Sequence, residues 1–146
     1  MNIEIINNSL QLDIYGFGGI AIDKDFVGAA FQLSGKMWEV VKANELGNSG
    51  MNIWVYETED EVFAGVELHN PSIGLSSGLE EKRISLEKYA YYKHIGPYHL
   101  IKPAGQKMTS ELIEKGFEVI LLYIEIYGHW TNDESKLETE LLMRLK

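Results

Sequence analysis

Residues 119–127 read Val119-Ile120-Leu121-Leu122-Tyr123-Ile124-Glu125-Ile126-Tyr127, and the rest of the chain is organised around this stretch. Its aliphatic and aromatic residues spell a strand that is apolar on both faces. Side chains alternate along a strand, so Tyr123, Glu125 and Tyr127 share one face while Leu122, Ile124 and Ile126 share the other. The second set is ordinary core. The first is a carboxylate between two phenols, and Glu125 is the only formally charged residue between Glu118 and Asp133. An unpaired carboxylate in apolar surroundings is costly. Glu125 therefore needs a partner, a proton or a functional role, unless it points into water from an edge strand. The strand alone leaves all of these open.

The residues just before this strand predict a helix from about Leu100 to Lys115, with Ile101, Ala104, Met108 and Leu112 on one face. Pro103 fits only its first turn. Gly116 is a natural stop, and Phe117 can pack back on the last turn. A tyrosine-dense strand, Ile84–Ile95, precedes that helix and turns at Gly96-Pro97. After the central strand comes a turn at Thr131–Glu134. A strand over 136–146 then sets Leu137, Thr139, Leu141, Met143 and Leu145 against Glu138, Glu140 and Arg144. The order is strand, helix, strand, strand.

The first half repeats it. Leu10, Leu12 and Ile14 alternate with Gln11 and Asp13, and Gly16-Phe17-Gly18-Gly19 reads as a turn. A helix follows from about Asp25 to Glu45 on Phe26, Ala30, Leu33, Met37 and Val41, with Gly47 as its closing glycine. Asn52–Thr58 and Val62–His69 form a hairpin around Glu59-Asp60-Glu61. Asn70–Gly78 reads as a loop between the halves.

These periodicities predict an α+β fold: a pseudo-twofold duplication of a strand–helix–strand–strand unit in a single domain over 1–146. The first repeat covers about 1–70 and the second about 79–146. The expected arrangement is an antiparallel sheet with both helices on one face and a ligand groove on the other. Leu122, Ile124 and Ile126 would then face the helices, and Tyr123, Glu125 and Tyr127 the groove. Pseudo-symmetry brings Trp54 and Tyr56 toward the same groove. Tyr92, Tyr98 and Trp130 are further candidates for its lining, while Trp38 belongs beside the apolar stripe of the first helix.

Composition narrows the function. The chain has 146 residues, 45% hydrophobic and 11% aromatic, which suits one folded core. A net charge of -9 and the lack of any clustered Lys and Arg argue against nucleic-acid binding and are compatible with attracting cations. There is no cysteine, so thiol nucleophiles and cysteine metal sites are excluded. The N-terminus lacks the pattern of a signal peptide, and residues 119–127 are too short to span a bilayer, so the expectation is a cytoplasmic protein. No His pair has metal-ligand spacing, Gly16-x-Gly18-x-x-Ala21 reads as a turn rather than a dinucleotide loop, and no cofactor is expected. The acidic turn Glu57, Glu59, Asp60 and Glu61 is a solvated surface able to steer cations.

The segments "YAYYKHIGPYHLI", "ELIEKGFE", "YIEIYGHW" and "SKLETELLMRLK", with "KMWEVV" and "FAGVEL" in the first half, resemble the GyrI-like domain. That is also the effector-binding domain of bacterial multidrug-responsive transcription activators. The resemblance covers nearly the whole chain, and His94-Ile95-Gly96-Pro97-Tyr98 and Glu125-x-Tyr127 are its most specific pieces. It implies the same duplicated fold, with lipophilic cations bound in an aromatic pocket around a central glutamate that here matches Glu125. It also implies two other roles known in the family: hydrolysis of strained electrophiles, with Glu125 as base and Tyr127 assisting, and inhibition of a protein partner such as DNA gyrase. No DNA-binding region accompanies these residues, so direct contact with nucleic acid is not expected.

Overall fold

The computed structural model describes residues 1–146. The strands are β1 (Glu4–Ile6), β2 (Leu10–Ile20), β3 (Asn52–Tyr56), β4 (Glu61–Val66), β5 (Glu80–Leu86), β6 (Tyr89–Ile95), β7 (Val119–Tyr127) and β8 (Glu138–Leu145). The helices are α1 (Phe26–Ala43), α2 (Pro71–Ser76) and α3 (Ile101–Glu114). All strands join one antiparallel sheet in the order β1-β6-β8-β7-β3-β4-β2-β5, so the α+β expectation holds. No helix is long and apolar enough to cross a membrane.

That order is symmetric about the pairing of β3 with β7. On one side β7, β8 and β6 follow one another, and on the other β3, β4 and β2. Each half also lends its leading strand to the other: β1 pairs with β6, and β5 with β2. At the seam Trp54 lies opposite Glu125, flanked by the pairs Asn52–Tyr127 and Tyr56–Tyr123. The sequence offset that carries Trp54 onto Glu125 also carries Met37 onto Met108 and Val41 onto Leu112, all buried. Duplication is thus written into the core as well as the pairing.

Both long helices end in the same way. Past α3, Gly116 has φ 85°, its N–H donates to Ile113 O at 3.0 Å, and the N–H of Phe117 donates to Leu112 O at 3.0 Å. Past α1, the offset puts Glu45 in that place, at φ 49°. Its N–H donates to Lys42 O at 3.2 Å, and the N–H of Leu46 donates to Val41 O at 2.9 Å. Gly47 is therefore not the closing residue expected for this helix. The left-handed position is set by the last free carbonyls, and the burial of Leu46 beyond it holds a glutamate there.

Three other sequence expectations are corrected. Gly16–Gly19 is not a turn but the second half of β2, paired to β4. A Cβ on Gly16 would lie 1.9 Å from the Ala64 carbonyl oxygen, so this glycine serves close approach of strands. Residues 70–78 are not all loop, because Pro71 opens the short helix α2, where its missing N–H is harmless. The single strand expected over 84–95 is two, β5 and β6. The chain breaks at Glu87-Lys88 as it leaves β2 and moves across to β8.

The faces of the sheet are also reversed from expectation. Ile53, Val55, Ile124 and Leu142 pack against Ile14, Ile84, Leu86 and Tyr89, and Leu122 and Ile126 adjoin that cluster. The flanking strands curl far enough to bury this face within the sheet itself. The helices occupy the other face. Met108 and Leu112 of α3 pack with Leu141 and Met143 beside Tyr123 and Tyr127, while Ala30 of α1 sits on Trp54 and Ala64. Tyr123, Glu125 and Tyr127 thus lie on the helix face, and the groove opens between α1 and α3 rather than behind them.

Candidate functional site

The seam between β3 and β7 forms the floor of a cavity of about 1270 Å³, and the two long helices form its walls. Trp54 and Tyr56 reach it from β3, and Tyr123, Glu125 and Tyr127 from β7. The walls use the same helical positions twice: Phe31, Ser34 and Trp38 on α1 stand where Lys102, Gly105 and Thr109 stand on α3. At the mouth Val27, Phe31, Leu121 and Trp130 leave apolar surface exposed, Trp130 to 74%.

Glu125 is 6% exposed and accepts three phenolic hydrogen bonds. Tyr127 Oη donates to Oε1 at 2.7 Å, Tyr56 Oη to Oε1 at 3.0 Å, and Tyr123 Oη to Oε2 at 2.8 Å. No lysine, arginine or histidine pairs with the carboxylate. A carboxylate has about four acceptor positions, so one remains, on Oε2. Burial, followed by the charge of Glu125 and the bonds donated to it, drives the pKa values of Tyr56, Tyr123 and Tyr127 far up. All three are fixed donors over the ordinary pH range.

The rings also hold one another. Tyr56 stacks on Tyr123 at 5.4 Å between centroids, and Trp54 lies against Tyr127 at 4.8 Å. Tyr98 meets Tyr127 edge-on at 5.5 Å, and Phe26 meets Tyr56 at 6.0 Å. The result is a carboxylate whose surroundings are almost wholly aromatic. Chemically it suits a group that is positive and also apolar.

Seven of the eight expected residues line this cavity: Glu125, Tyr123, Tyr127, Trp54, Tyr56, Tyr98 and Trp130. Tyr92 does not. It shares the correct face, but β8 lies between β6 and β7, and Tyr92 packs beside the core under α3. Trp38, expected as core, has a place in the wall and also touches the core. The wall residues of α1 escaped the sequence reading. Val27 and Phe31 stand one turn apart and off the core stripe, and that spacing was the available signal. The α3 wall is mostly polar and left no such trace. No group of three or more His, Asp or Glu is placed to hold a metal ion.

The sequence pattern described as the GyrI-like small molecule binding domain matches residues 31–146. No curated protein matches the chain by sequence. Among solved structures, the EcmrR C-terminal domain superposes with a TM-score of 0.73 at 16% identity, covering 100% of this chain and 99% of that one. SAV2435, solved bound to tetraphenylphosphonium, gives 0.68 at 14% identity over 100% and 94%. A hydrolase from Listeria innocua gives 0.59 at 11% identity over 99% and 91%. At these identities the likenesses speak for the fold.

Proposed function

This chain belongs to the GyrI-like small-molecule-binding domain family, and on that premise we propose that residues 1–146, as one domain, bind lipophilic cations at Glu125. One observation carries the reading: a buried carboxylate held by three phenols, with no basic partner, at the floor of an aromatic cavity. A buried anion without a counterion attracts one. Trp54, Tyr56, Tyr123, Tyr127, Tyr98 and Trp130 supply ring faces, each good cation–π contact adding about 0.5–2 kcal/mol. SAV2435, of similar fold, was solved with such a cation, and the net charge of -9 favours cations over nucleic acid. Sequestration of toxic compounds is the role that follows. Titration of the purified protein with tetraphenylphosphonium, followed by tryptophan fluorescence and calorimetry, tests it. Glu125→Gln is expected to weaken binding about thirtyfold or more. Equal affinity in the variant would refute the reading.

Hydrolysis of strained electrophiles is the second reading, favoured by the open acceptor position on Oε2. A water held there has Glu125 as its base, and Tyr127 would have to turn its single O–H from Glu125 Oε1 to donate a hydrogen bond to a leaving oxygen or nitrogen. The elevated pKa values count against it, since these phenols hold their protons tightly. Mass spectrometry of an epoxide- or aziridine-bearing compound incubated with the protein decides. Catalytic water addition, lost in Glu125→Gln, would establish it.

A further inference from the structure

The floor has four corners around the Trp54–Glu125 pair: Asn52, Tyr56, Tyr123 and Tyr127. Three are phenols that donate to Glu125. The fourth, Asn52, is opposite Tyr127 and occupies the position that Tyr123 holds in the other repeat. It makes no bond to Glu125. Instead its Oδ1 accepts from Trp38 Nε1 at 3.1 Å and from Ser34 Oγ at 3.0 Å, both on α1. An indole N–H can only donate, so the oxygen has to be the atom turned toward α1. The orientation of this amide is therefore fixed by chemistry.

Nδ2 is left with two N–H donors and no protein acceptor. It is not sealed in: the buried side-chain atoms without partners are Trp54 Nε1 and Thr139 Oγ1. Asn52 is half-buried and lines the cavity, so its NH2 group opens onto the ligand space. The floor thus offers a negative acceptor at Glu125 and, one corner away, a locked neutral donor. A hydrocarbon cation answers only the first and strips water from the second, which carries a penalty.

We propose that Asn52 is a specificity-determining residue and that the preferred ligands are lipophilic cations carrying a hydrogen-bond acceptor, such as a carbonyl oxygen, on an arm beside the charge. This rests on the reading of Glu125 as a cation site. Two cations of equal charge and nearly equal shape separate the ideas: para-acetylphenyl-triphenylphosphonium, and its para-isopropenyl counterpart with no acceptor. Calorimetry on the wild type is expected to show the acetyl ion binding about threefold to tenfold tighter. Asn52→Asp still accepts from Trp38 and Ser34 but presents an acceptor in place of the NH2, so the preference vanishes or reverses. Trp38→Phe removes the lock and narrows the preference with Asn52 still present. Equal wild-type affinities, or a ratio that survives Asn52→Asp, would overturn the proposal and leave the cation site standing. Undiminished binding of both ions to Glu125→Gln would instead overturn the cation site itself, and the proposal with it.

Discussion

The two walls of the cavity are the same backbone bearing opposite chemistry. On α1 the positions facing the ligand space are Phe31, Ser34 and Trp38, and on α3 their equivalents are Lys102, Gly105 and Thr109. At the seam the equivalents are Trp54 and Glu125. Symmetry is kept where packing demands it, at Met37 with Met108 and Val41 with Leu112, and on the floor at Tyr56 with Tyr127, both of which donate to Glu125, but it is abandoned at the wall pairs and at Trp54 with Glu125. The seam shows why. Two glutamates facing each other would repel, and one would have to take up a proton. Two tryptophans would leave no charge. One of each gives a single anion with an apolar plane beside it, which a symmetric pair cannot provide.

The largest effects belong to the symmetric part. Met37 and Met108 are both 0% exposed. Met37→Ala and Met108→Ala should each destabilise by about 2–5 kcal/mol in urea unfolding. Agreement to within about 2 kcal/mol sharpens the equivalence, and a wider gap would break it.

The phenols come next, and they come unequally: Tyr56 from the first half, Tyr123 and Tyr127 from the second. Burial and then Glu125 raise their folded pKa values above the ordinary value of about 10. Above about pH 10 the unfolded chain loses phenolic protons that the folded chain keeps, so stability falls as pH rises. Below that pH the contribution is fully present. Phenolate absorbance should therefore show these three rings silent until the fold gives way. In Glu125→Gln they should ionise at lower pH, because the carboxylate's share of the shift is gone and burial alone remains. An unchanged titration there would mean that Glu125 does not govern the rings.

A smaller effect breaks the contrast between the walls. A Cβ on Gly105 comes no nearer than 3.5 Å to another group, the hydroxyl of Tyr123, so a side chain fits and extends into the ligand space. Gly105→Leu makes the α3 wall as bulky as the α1 wall. It should weaken tetraphenylphosphonium binding about tenfold while stabilising the helix by up to about 1 kcal/mol. Tighter binding would show that the α3 side is not where the ligand lies.

How much of this was legible depends on which physical rule each feature obeys. The central strand, the lone charge of Glu125, both core stripes and the stop at Gly116 follow from local periodicity and capping. The face on which the groove opens does not, because it depends on the sheet curling until Ile14 and Leu86 reach Ile53 and Ile124. The glycines that permit close approach within β2 resembled a turn, since a glycine serves either purpose. Tyr92 had the right parity on its strand and the wrong strand, and strand order is not a property of period two. Wall residues such as Ser34 and Gly105 acquire meaning only once the helix above the seam is oriented.

The smallest prediction concerns a backbone position where the duplicated scaffold tolerates a mismatch. Glu45 and Gly116 occupy the same left-handed position after their helices, at φ 49° and 85°. A side chain there costs roughly 1–2 kcal/mol in backbone strain, while a glycine costs conformational entropy that offsets part of the gain. Glu45→Gly should therefore raise stability by only about 0.5–1 kcal/mol, read as a higher urea midpoint. Gly116→Ala should lower it by a similar amount, and since nothing lies within 4 Å of the added Cβ, no clash adds to that loss. If Glu45→Gly instead destabilises, the glutamate side chain makes a contribution that outweighs its backbone, and the two helix ends are alike in shape but not in cause.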